Sequence, residues 1–374
     1  LLWLRRDDAE PLLVRAAPVS LDAPCWKNTA RFSISWSGAA ALDASSSRSL
    51  LLFEALLRRV EMHLPATFDL TEGAFGDDVP PEERFLSLFP FAAVEHSTVG
   101  SAPVTEILLR TTRRCNQACP FCSAPDRTDC DPAVVRDAIL SAGGLFPGAT
   151  LTMTGGEPTL RPSFPAELAL ALDQPALHQI QIQTNAVAFA RDLDPAAWQA
   201  SPRLAFFVSL HAVDAAIYDA CTGTRGQLDT ALRGIRRLIA AEHAVTLNTV
   251  VSSLNLAHLP ALTEALPALI DGSRRVDLHF SSLICHEGSP DAPRFLVRYT
   301  ELAPALEHAA ALAAERGVLV QSLRSSTHAS VPPCVLHPSL RSRDPHRATA
   351  SPEETGFEDP SRPWTKAASC RLCV

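Results

Sequence analysis

The stretch Val104-Thr-Glu-Ile-Leu-Leu-Arg-Thr111 is followed after three residues by Cys115-Asn-Gln-Ala-Cys119-Pro-Phe-Cys122. The first part is mostly apolar or β-branched, which is typical of a strand. The three cysteines therefore stand in the loop that leaves a predicted strand. The same order, an apolar run and then a segment of reactive or polar residues, recurs along the chain and predicts the fold.

Six such apolar runs alternate with helical patterns. Strands alternating with helices are typical of parallel βαβ units, and right-handed crossovers curl such units into a barrel. We predict an α/β fold with a partial (β/α)6 TIM-like barrel over residues 104–324. The predicted strands are 104–111, 149–154, 179–184, 204–210, 244–251 and 276–284, and the predicted helices are 132–142, 164–172, 227–241, 258–270 and 299–316.

The two ends of the chain differ from this regular part. Residues 31–36 alternate like a strand, residues 49–60 have helical spacing, and residues 71–81 have the composition of a loop. We predict a small N-terminal α+β accessory domain over residues 1–100. Residues 325–365 are rich in Ser, Pro and Arg and look loop-like, within a C-terminal cysteine-containing extension over residues 325–374.

Composition restricts the partners. The 374-residue chain has a formal net charge of −8, which argues against a broad nucleic-acid-binding face. No apolar run reaches the length of a membrane-spanning helix. Several of the ten cysteines are separated by only two or three residues, a spacing that favours metal ligation in a reducing compartment over disulfides. We expect a cytoplasmic protein whose partners include neither a membrane nor a nucleic acid.

Four segments whose residues could bind a ligand or take part in a reaction follow successive predicted strands. The cysteine run follows the first strand, Gly155-Gly156-Glu157-Pro158 the second, Thr184-Asn185 the third and Ser209-Leu-His211 the fourth. Loops that leave parallel strands gather on one face of a barrel, where barrel enzymes place their active sites. We therefore expect these four segments to converge in space.

The cysteine triplet predicts a metal centre. Three thiols this close can hold three corners of an iron–sulfur cubane, and the fourth iron then has an open position where a small molecule can react. A structural zinc site is the alternative, and Cys130 would supply its fourth ligand. Phe121 is the kind of apolar neighbour that shields a cluster from water, and Asn116 is a candidate hydrogen-bond donor near a sulfur.

The Gly155-Gly156-Glu157-Pro158 segment predicts a ligand contact after the second strand. Residues without side chains allow the backbone to approach a ligand closely. Backbone carbonyls there could accept hydrogen bonds from an ammonium group, and Glu157 could add charge. A plain strand-to-loop turn is the alternative, because Gly and Pro are common in turns.

Together the two motifs resemble those of the radical S-adenosylmethionine (SAM) superfamily, over residues 104–320. The resemblance implies a [4Fe–4S] cluster on Cys115, Cys119 and Cys122, with the open iron chelated by the amino and carboxylate groups of SAM. It also implies reductive cleavage of SAM to a 5′-deoxyadenosyl radical, which takes a hydrogen atom from a substrate.

The same resemblance assigns SAM contacts to further positions. It places Gly155, Gly156 and Glu157 at the amino group and Thr184-Asn185 on the ribose side. It places Ser209 at the carboxylate or ribose, Arg225 at the carboxylate, and Asn248 at a further polar contact. Thr184, Ser209 and Asn248 are alternatively ordinary polar residues at strand ends.

Cysteines near the C-terminus predict a second metal site. Cys334, Cys370 and Cys373 resemble the extensions of the SPASM and twitch branches of the superfamily, which carry an auxiliary [4Fe–4S] cluster. The pattern departs from those branches because the sequence stops one residue after Cys373. The site could have only three ligands, it could take a fourth from residues beyond the stretch, or Cys25 could be the fourth. The other interpretation of this segment is a zinc knuckle or a disordered tail.

Cys285 is the candidate catalytic residue. It follows the sixth predicted strand, and a thiol there can return a hydrogen atom to a substrate radical, as in radical epimerases. Cys221 is predicted to be a small buried apolar residue. Three histidines, His211, His279 and His286, are candidate substrate contacts or satisfied polar residues.

The resulting prediction is a radical SAM enzyme with an auxiliary cluster, acting on a peptide or a small metabolite. Its reducing electron donor would be a protein such as flavodoxin or ferredoxin. A non-catalytic zinc- or iron–sulfur-binding protein is the alternative. A radical enzyme that modifies RNA is a third candidate, weakened by the acidic charge balance.

Overall fold

The computed structural model describes part of the chain. It describes residues 2–6, 9–20, 30–36, 66–69, 81–89, 91–99, 102–122, 129–270, 276–283, 291–320 and 348–350. The predicted helix at residues 49–60, most of the predicted loop at residues 71–81, and the candidate residues Cys25, Cys285, His286, Cys334, Cys370 and Cys373 lie outside these ranges.

A four-stranded sheet forms near the N-terminus in the order β1-β2-β3-β4. β1, β2 and β3 pair antiparallel, whereas β4 runs parallel to β3. The strand predicted at residues 31–36 is β3. The four strands are β1 (Leu2–Arg6), β2 (Ala9–Ser20), β3 (Ala30–Trp36) and β4 (Ala66–Asp69).

A nine-stranded sheet carries the rest of the described chain, in the order β12-β11-β10-β9-β8-β7-β6-β5-β13. Six consecutive strands, β6 to β11, are parallel neighbours and correspond to the six predicted strands. The sheet is open, so the predicted α/β fold with a partial TIM-like barrel is confirmed. The strands are β5 (Ala92–Val99), β6 (Ala102–Thr112), β7 (Thr150–Gly155), β8 (Gln179–Thr184), β9 (Leu204–Ser209), β10 (Ala244–Val251), β11 (Val276–Ser282), β12 (Leu319–Val320) and β13 (Ala348–Ala350).

Helices connect these strands. The five predicted helices are found with shifts of at most a few residues at their ends, as expected for helix boundaries. The described helices are α1 (Pro81–Leu88), α2 (Pro132–Leu145), α3 (Phe164–Leu172), α4 (Ala215–Thr222), α5 (Leu228–Ala240), α6 (Leu259–Ile270) and α7 (Tyr299–Glu315). Among them, none has both the length and the apolar character needed to cross a bilayer.

Helix α4 was not predicted, because eight residues are too few for a clear periodicity. Its ends nevertheless carry local signals. The Asp214 side chain accepts hydrogen bonds from the backbone N–H groups of Ala216 and Ile217, as an N-cap does. Gly223 follows the last helical residue with φ of 61°, which is the left-handed conformation that ends many helices.

The elements that flank the six parallel strands were not predicted as parts of the barrel. β5 pairs antiparallel with β6, and Phe85 of α1 packs edge-on against Phe146, with ring centroids 5.4 Å apart. Residues 81–99 therefore pack with the barrel, although the sequence placed them with the first hundred residues. β13 pairs with β5 and lies within the stretch expected to be loop-like.

The two faces of the parallel sheet have opposite character. Successive residues of a strand point to opposite faces, and one set is buried against the helices in a continuous apolar core. Ile107, Leu151 and Ile182 on three strands, for example, share this core with Ile139 and Leu168 of α2 and α3. The residues that alternate with the apolar set are mostly polar, and they form the opposite face.

Candidate functional site

The ends of four neighbouring strands meet at one edge of the sheet. Thr112 at the end of β6 is aligned with Gly155 at the end of β7. Thr184 at the end of β8 is aligned with Val208 on β9, and Ser209 ends β9 beside Asn248 of β10. The structure thus brings the four predicted segments to the same edge.

The cysteine loop leaves β6 at this edge. Cys115, Cys119 and Cys122 are each half-buried. The backbone N–H of Gln117 donates to the Cys115 Sγ at 3.4 Å, and that of Cys122 donates to the Cys119 carbonyl at 3.1 Å. The loop is therefore folded back on itself at this edge of the sheet, with its three cysteines half-buried.

Helix α4 holds the cysteine loop in place. The Ala118 N–H donates to the Thr222 carbonyl at 2.8 Å, and the Gln117 Nε2 donates to the Tyr218 hydroxyl at 2.9 Å. Sequence reasoning missed both α4 residues, since nothing in the local pattern links them to a loop about a hundred residues earlier. The capping pair Asp214 and Gly223 was the available signal.

Hydrogen bonds and ion pairs connect the residues that lead into the cysteine loop to the segment at residues 129–130 and to Arg161. The Arg114 Nη1 lies 2.8 Å from Asp129 Oδ2, and the Thr112 hydroxyl donates to the same carboxylate. Arg161 donates to the carbonyls of Thr111 and Cys130 at 2.7 and 2.8 Å, while it pairs with the buried carboxylate of Glu167 at 2.6 Å.

Cys130 lies in the main apolar core rather than with the triplet. It is 2% exposed, and its Sγ donates to the Arg110 carbonyl at 3.4 Å. Phe121 and Cys119 instead pack in a smaller apolar cluster with Cys221. Cys221 is fully buried, as predicted for a small apolar residue.

Gly155 and Gly156 allow two backbone segments to lie against each other. Gly155 has φ of 135°, and a Cβ there would stand 1.9 Å from the Thr112 carbonyl oxygen. A Cβ on Gly156 would stand 2.2 Å from the Arg114 carbonyl oxygen. The Gly156 N–H donates to the Thr112 carbonyl at 2.6 Å. The close approach seen in the structure is therefore that of the chain to the residues leading into Cys115.

The Glu157 carboxylate points into the protein. It is 1% exposed and accepts hydrogen bonds from the Thr184 hydroxyl and the Asn185 N–H, both at 2.7 Å, and from the Thr159 N–H at 3.2 Å. Burial raises the pKa of Glu157, and these donors act in the opposite direction. The carboxylate joins the ends of β7 and β8, while Gly155 and Gly156 remain half-buried at the edge.

The other predicted SAM contacts divide into two groups. Ser209 and Asn248 lie side by side at the edge, and the Asn248 Oδ1 accepts from the Ser281 hydroxyl at 2.8 Å. Arg225 is exposed in the loop between α4 and α5. Ser209 and Asn248 therefore lie at the same edge of the sheet as the cysteine loop, whereas the Arg225 side chain is exposed to solvent.

Burial and the neighbouring thiols raise the pKa of Cys119, with Cys122 and Cys115 both contributing. The three cysteines lie within one eight-residue segment of the loop. Within the described ranges, no three His, Cys, Asp or Glu side chains converge on a point as ligands of a single ion do. A cubane distributes its cysteine ligands over separate irons, so convergence on a single point is not its requirement.

The model of the Radical SAM superfamily matches residues 109–265. The chain contains a radical SAM domain. This match covers the cysteine loop, the Gly155-Gly156-Glu157 segment and the ends of β8, β9 and β10. The superfamily uses a [4Fe–4S] cluster and SAM, and the soft thiolate donors of the triplet suit an iron–sulfur cluster.

Among curated proteins, the radical SAM domain is similar to enzymes named GTP 3′,8-cyclase. The protein of Xanthomonas campestris pv. campestris (strain B100) is 31% identical over 151 residues, which are 38% of this chain and 43% of that protein. The protein of Chlorobaculum tepidum is 27% identical over 166 residues, which are 43% and 49% of the two chains. The chain thus matches less than half the length of these two relatives.

Solved structures similar to this chain include Streptococcus suis SuiB bound to S-adenosylmethionine. That structure is 17% identical, covers 58% of this chain and 49% of its own, and has a TM-score of 0.46. Native anSMEcpe with bound AdoMet is 14% identical, covers 57% and 63%, and also has a TM-score of 0.46.

The polar face of the radical SAM domain lies next to the cysteine loop. We use this name for the side chains of β6–β11 that point away from the helices. In ordinary TIM barrels, this face is packed with branched apolar residues. Here its residues include Glu106, Arg110, Thr152, Thr154, Gln181, Gln183, Phe207, Thr246, Asn248, Asp277 and His279.

Hydrogen bonds order the polar face. The Thr152 hydroxyl donates to Glu106 at 2.6 Å, and the Thr154 hydroxyl donates to the Gln183 Oε1 at 2.6 Å. The Gln183 side chain is half-buried. His279 lies beside the Phe207 ring, with centroids 5.4 Å apart.

His211 is a satisfied core residue of the domain rather than an open contact. It is 4% exposed, and its Nδ1 accepts from the Val250 N–H at 3.3 Å. Its ring stands edge-on to Phe121, with centroids 5.7 Å apart. Burial lowers the pKa of His211 to about 4, so the imidazole is neutral at physiological pH.

This burial predicts acid sensitivity. In the unfolded chain His211 becomes protonated at about pH 6.5, whereas in the folded chain it does so only near the lowered pKa of about 4. The contribution of His211 to the free energy of unfolding is therefore fully present above the pKa of the unfolded chain. It is lost as the pH falls from that value to the pKa of the folded chain. We expect the free energy of unfolding of the metal-free chain to fall by about 1 kcal/mol between about pH 7.5 and pH 5.5.

Urea unfolding at both pH values measures this loss. The change His211→Gln should flatten the pH dependence, while His178→Gln at an exposed position should retain it. An equal slope in all three proteins would contradict the assignment.

Proposed function

We propose that the chain is a radical SAM enzyme that binds a [4Fe–4S] cluster through Cys115, Cys119 and Cys122 and acts on a polar substrate. When bound, the cluster and SAM supply one-electron cleavage of SAM and the removal of a hydrogen atom from the substrate. The observation that carries the proposal is the position of three half-buried thiols at the carboxyl edge of an open parallel sheet, beside its polar face.

The chain's own residues would position and shield these groups. Gly155, Gly156, Ser209 and Asn248 lie at the edge where SAM would meet the cluster. Thr184, Asn185 and Glu157 lie just beneath it, and the Glu157 carboxylate fixes the other two. Phe121 packs with Cys119 and Cys221 in the small apolar cluster and would keep water from that side of the cysteine loop. Arg225 remains a predicted carboxylate contact that would need to turn inward from solvent.

The polar face supports a substrate with neutral hydrogen-bonding groups. The amide of Gln183 and the hydroxyl of Thr154 both donate and accept. Among the described inward positions of β6–β11, one side chain is a guanidinium, Arg110, and two are carboxylates, Glu106 and Asp277. This charge balance suits amide groups or nucleobase edges better than a polyphosphate, which would need more cations. Peptides and small metabolites of that chemistry are the proposed substrate classes.

The remaining expectations form part of the proposal. Cys285 would return a hydrogen atom to the substrate, and Cys334, Cys370 and Cys373 would hold a second [4Fe–4S] cluster in a SPASM- or twitch-like extension over residues 325–374. Residues 104–324 would form the barrel, and the accessory domain proposed over residues 1–100 would pack its residues 81–99 against that barrel. A flavodoxin or ferredoxin would supply electrons in the cytoplasm, where thiol ligands stay reduced.

Anaerobic reconstitution with iron and sulfide tests the proposal. We expect a brown protein that converts SAM to 5′-deoxyadenosine only when a reductant is present, as measured by liquid chromatography. A colourless protein that binds zinc and leaves SAM intact would contradict it. Iron analysis addresses the second site, since about four irons per chain indicate one cubane and about eight indicate two.

A further inference from the structure

The turn after β8 fixes the orientation of the Asn185 side chain. Its Oδ1 accepts a hydrogen bond from the Val187 N–H at 3.1 Å, and its backbone N–H donates to the Glu157 carboxylate at 2.7 Å. The oxygen and nitrogen of an amide side chain are distinguished by their hydrogen-bond partners. Because the oxygen faces Val187, the Nδ2 group faces the cysteine loop.

The Asn185 Nδ2 group has two hydrogens and two acceptors in reach. One acceptor is the Asn116 Oδ1 at 2.6 Å, and the other is the Cys115 Sγ at 4.0 Å. The Gln117 N–H also donates to the same sulfur at 3.4 Å. The Asn116 oxygen is thus an acceptor, and the side-chain donor near the sulfur is Asn185, which lies seventy residues after Cys115.

A strained backbone maintains this arrangement. Ala186 has φ of 61°, which is uncommon for a residue other than glycine. Its N–H donates to the Thr184 hydroxyl at 3.0 Å, and that hydroxyl donates to the buried carboxylate of Glu157 at 2.7 Å. Such a strained conformation persists only where the surrounding contacts hold the backbone in place, and it is common at functional sites. Here the contacts of the turn aim the Asn185 amide at Cys115.

We propose that Asn185 is a positioning residue that donates a hydrogen bond to the Cys115 sulfur of the bound cluster and raises its reduction potential. This inference rests on the proposed function, because it needs a cluster on the triplet. A thiolate is a stronger acceptor than a thiol, so the N–H···S contact strengthens when iron replaces the proton. Hydrogen bonds to ligand sulfurs withdraw electron density and favour the reduced cluster.

A redox titration of the full-length, reconstituted protein tests the inference. The change Asn185→Leu keeps the volume and removes the donor, so we expect a more negative midpoint potential. The matched control is Gln227→Ala, which removes a 3.3 Å hydrogen bond to the Asn116 backbone carbonyl without touching a sulfur. Its potential should equal that of the parent. The electron paramagnetic resonance signal to follow is the one that Cys119→Ala removes.

The outcomes separate the two proposals. A cluster whose potential is the same in Asn185→Leu, Gln227→Ala and the parent overturns the inference alone. Absence of a cluster from the parent triplet sinks the proposed function as well. If Asn185→Leu retains less iron, Asn185→Ser decides, because serine keeps a small donor. Recovery of iron in Asn185→Ser supports the donor role, and equal loss in both variants refutes it.

Discussion

Replacing Cys115, Cys119 or Cys122 with Ala is expected to lower the formation of 5′-deoxyadenosine from SAM by more than about 100-fold. Changes to the mere neighbours of metal ligands already reduce affinity or activity by about 10- to 100-fold, and each of these changes removes a ligand itself. The three thiols share one short loop, and in the proposed cluster each would hold a different iron. The measurement is 5′-deoxyadenosine per iron and per chain after anaerobic reconstitution.

Cys221→Ala is the matched control for the triplet. Cys221 is fully buried behind the loop, in the same small apolar cluster as Phe121 and Cys119. Burial raises its pKa to about 11, so it stays a neutral thiol. We expect its replacement to leave iron content and SAM cleavage close to those of the parent. Activity that survives Cys115→Ala, or disappears equally in Cys221→Ala, would refute the assignment of the ligands.

Replacing Gly155 with Ala is expected to destabilise the metal-free chain by about 3 kcal/mol. Two causes combine, since positive φ strains a residue with a Cβ and overpacking adds a cost of similar size, each about 1–3 kcal/mol. The new Cβ would stand 1.9 Å from the Thr112 carbonyl oxygen, which is backbone and has little room to retreat. Urea unfolding gives the change in free energy.

Gly144→Ala provides the control for this change. Gly144 lies exposed on α2, with nothing within 4 Å of an added Cβ. An exposed helical Gly→Ala change stabilises proteins by about 0.5–1 kcal/mol, so the two variants should move in opposite directions. Because Thr112 leads into the cysteine loop, Gly155→Ala should also reduce the iron content. A Gly155→Ala protein as stable as Gly144→Ala would show that the two backbones are not in contact.

The barrel could be predicted from the sequence because its signals are local. Each strand of β6–β11 contains a short apolar or β-branched run, and each of α2, α3, α5, α6 and α7 has helical spacing. The cysteine loop and the Gly155-Gly156-Glu157 segment were recognisable from type and spacing alone. Their convergence followed from one topological rule, that loops after parallel strands share a face.

The parts that could not be predicted depend on pairings distant in sequence. β5 and β13 extend the sheet through antiparallel partners that no local pattern reveals. α4 is short, yet Tyr218 and Thr222 on it hold the cysteine loop through hydrogen bonds across about a hundred residues. These contacts appear only once the chain is folded.

The sequence by itself determined the type of fold, the three candidate thiol ligands and the radical SAM motifs, because strand periodicity, thiol chemistry and motif spacing are properties of neighbouring residues. Only the tertiary structure decided that the Glu157 carboxylate is buried, that Gly155 packs on Thr112 and that Asn185 rather than Asn116 donates toward Cys115. The direction of a side chain is set by the buried hydrogen bonds it must satisfy. Those partners come from other strands, so no single stretch of sequence contains them.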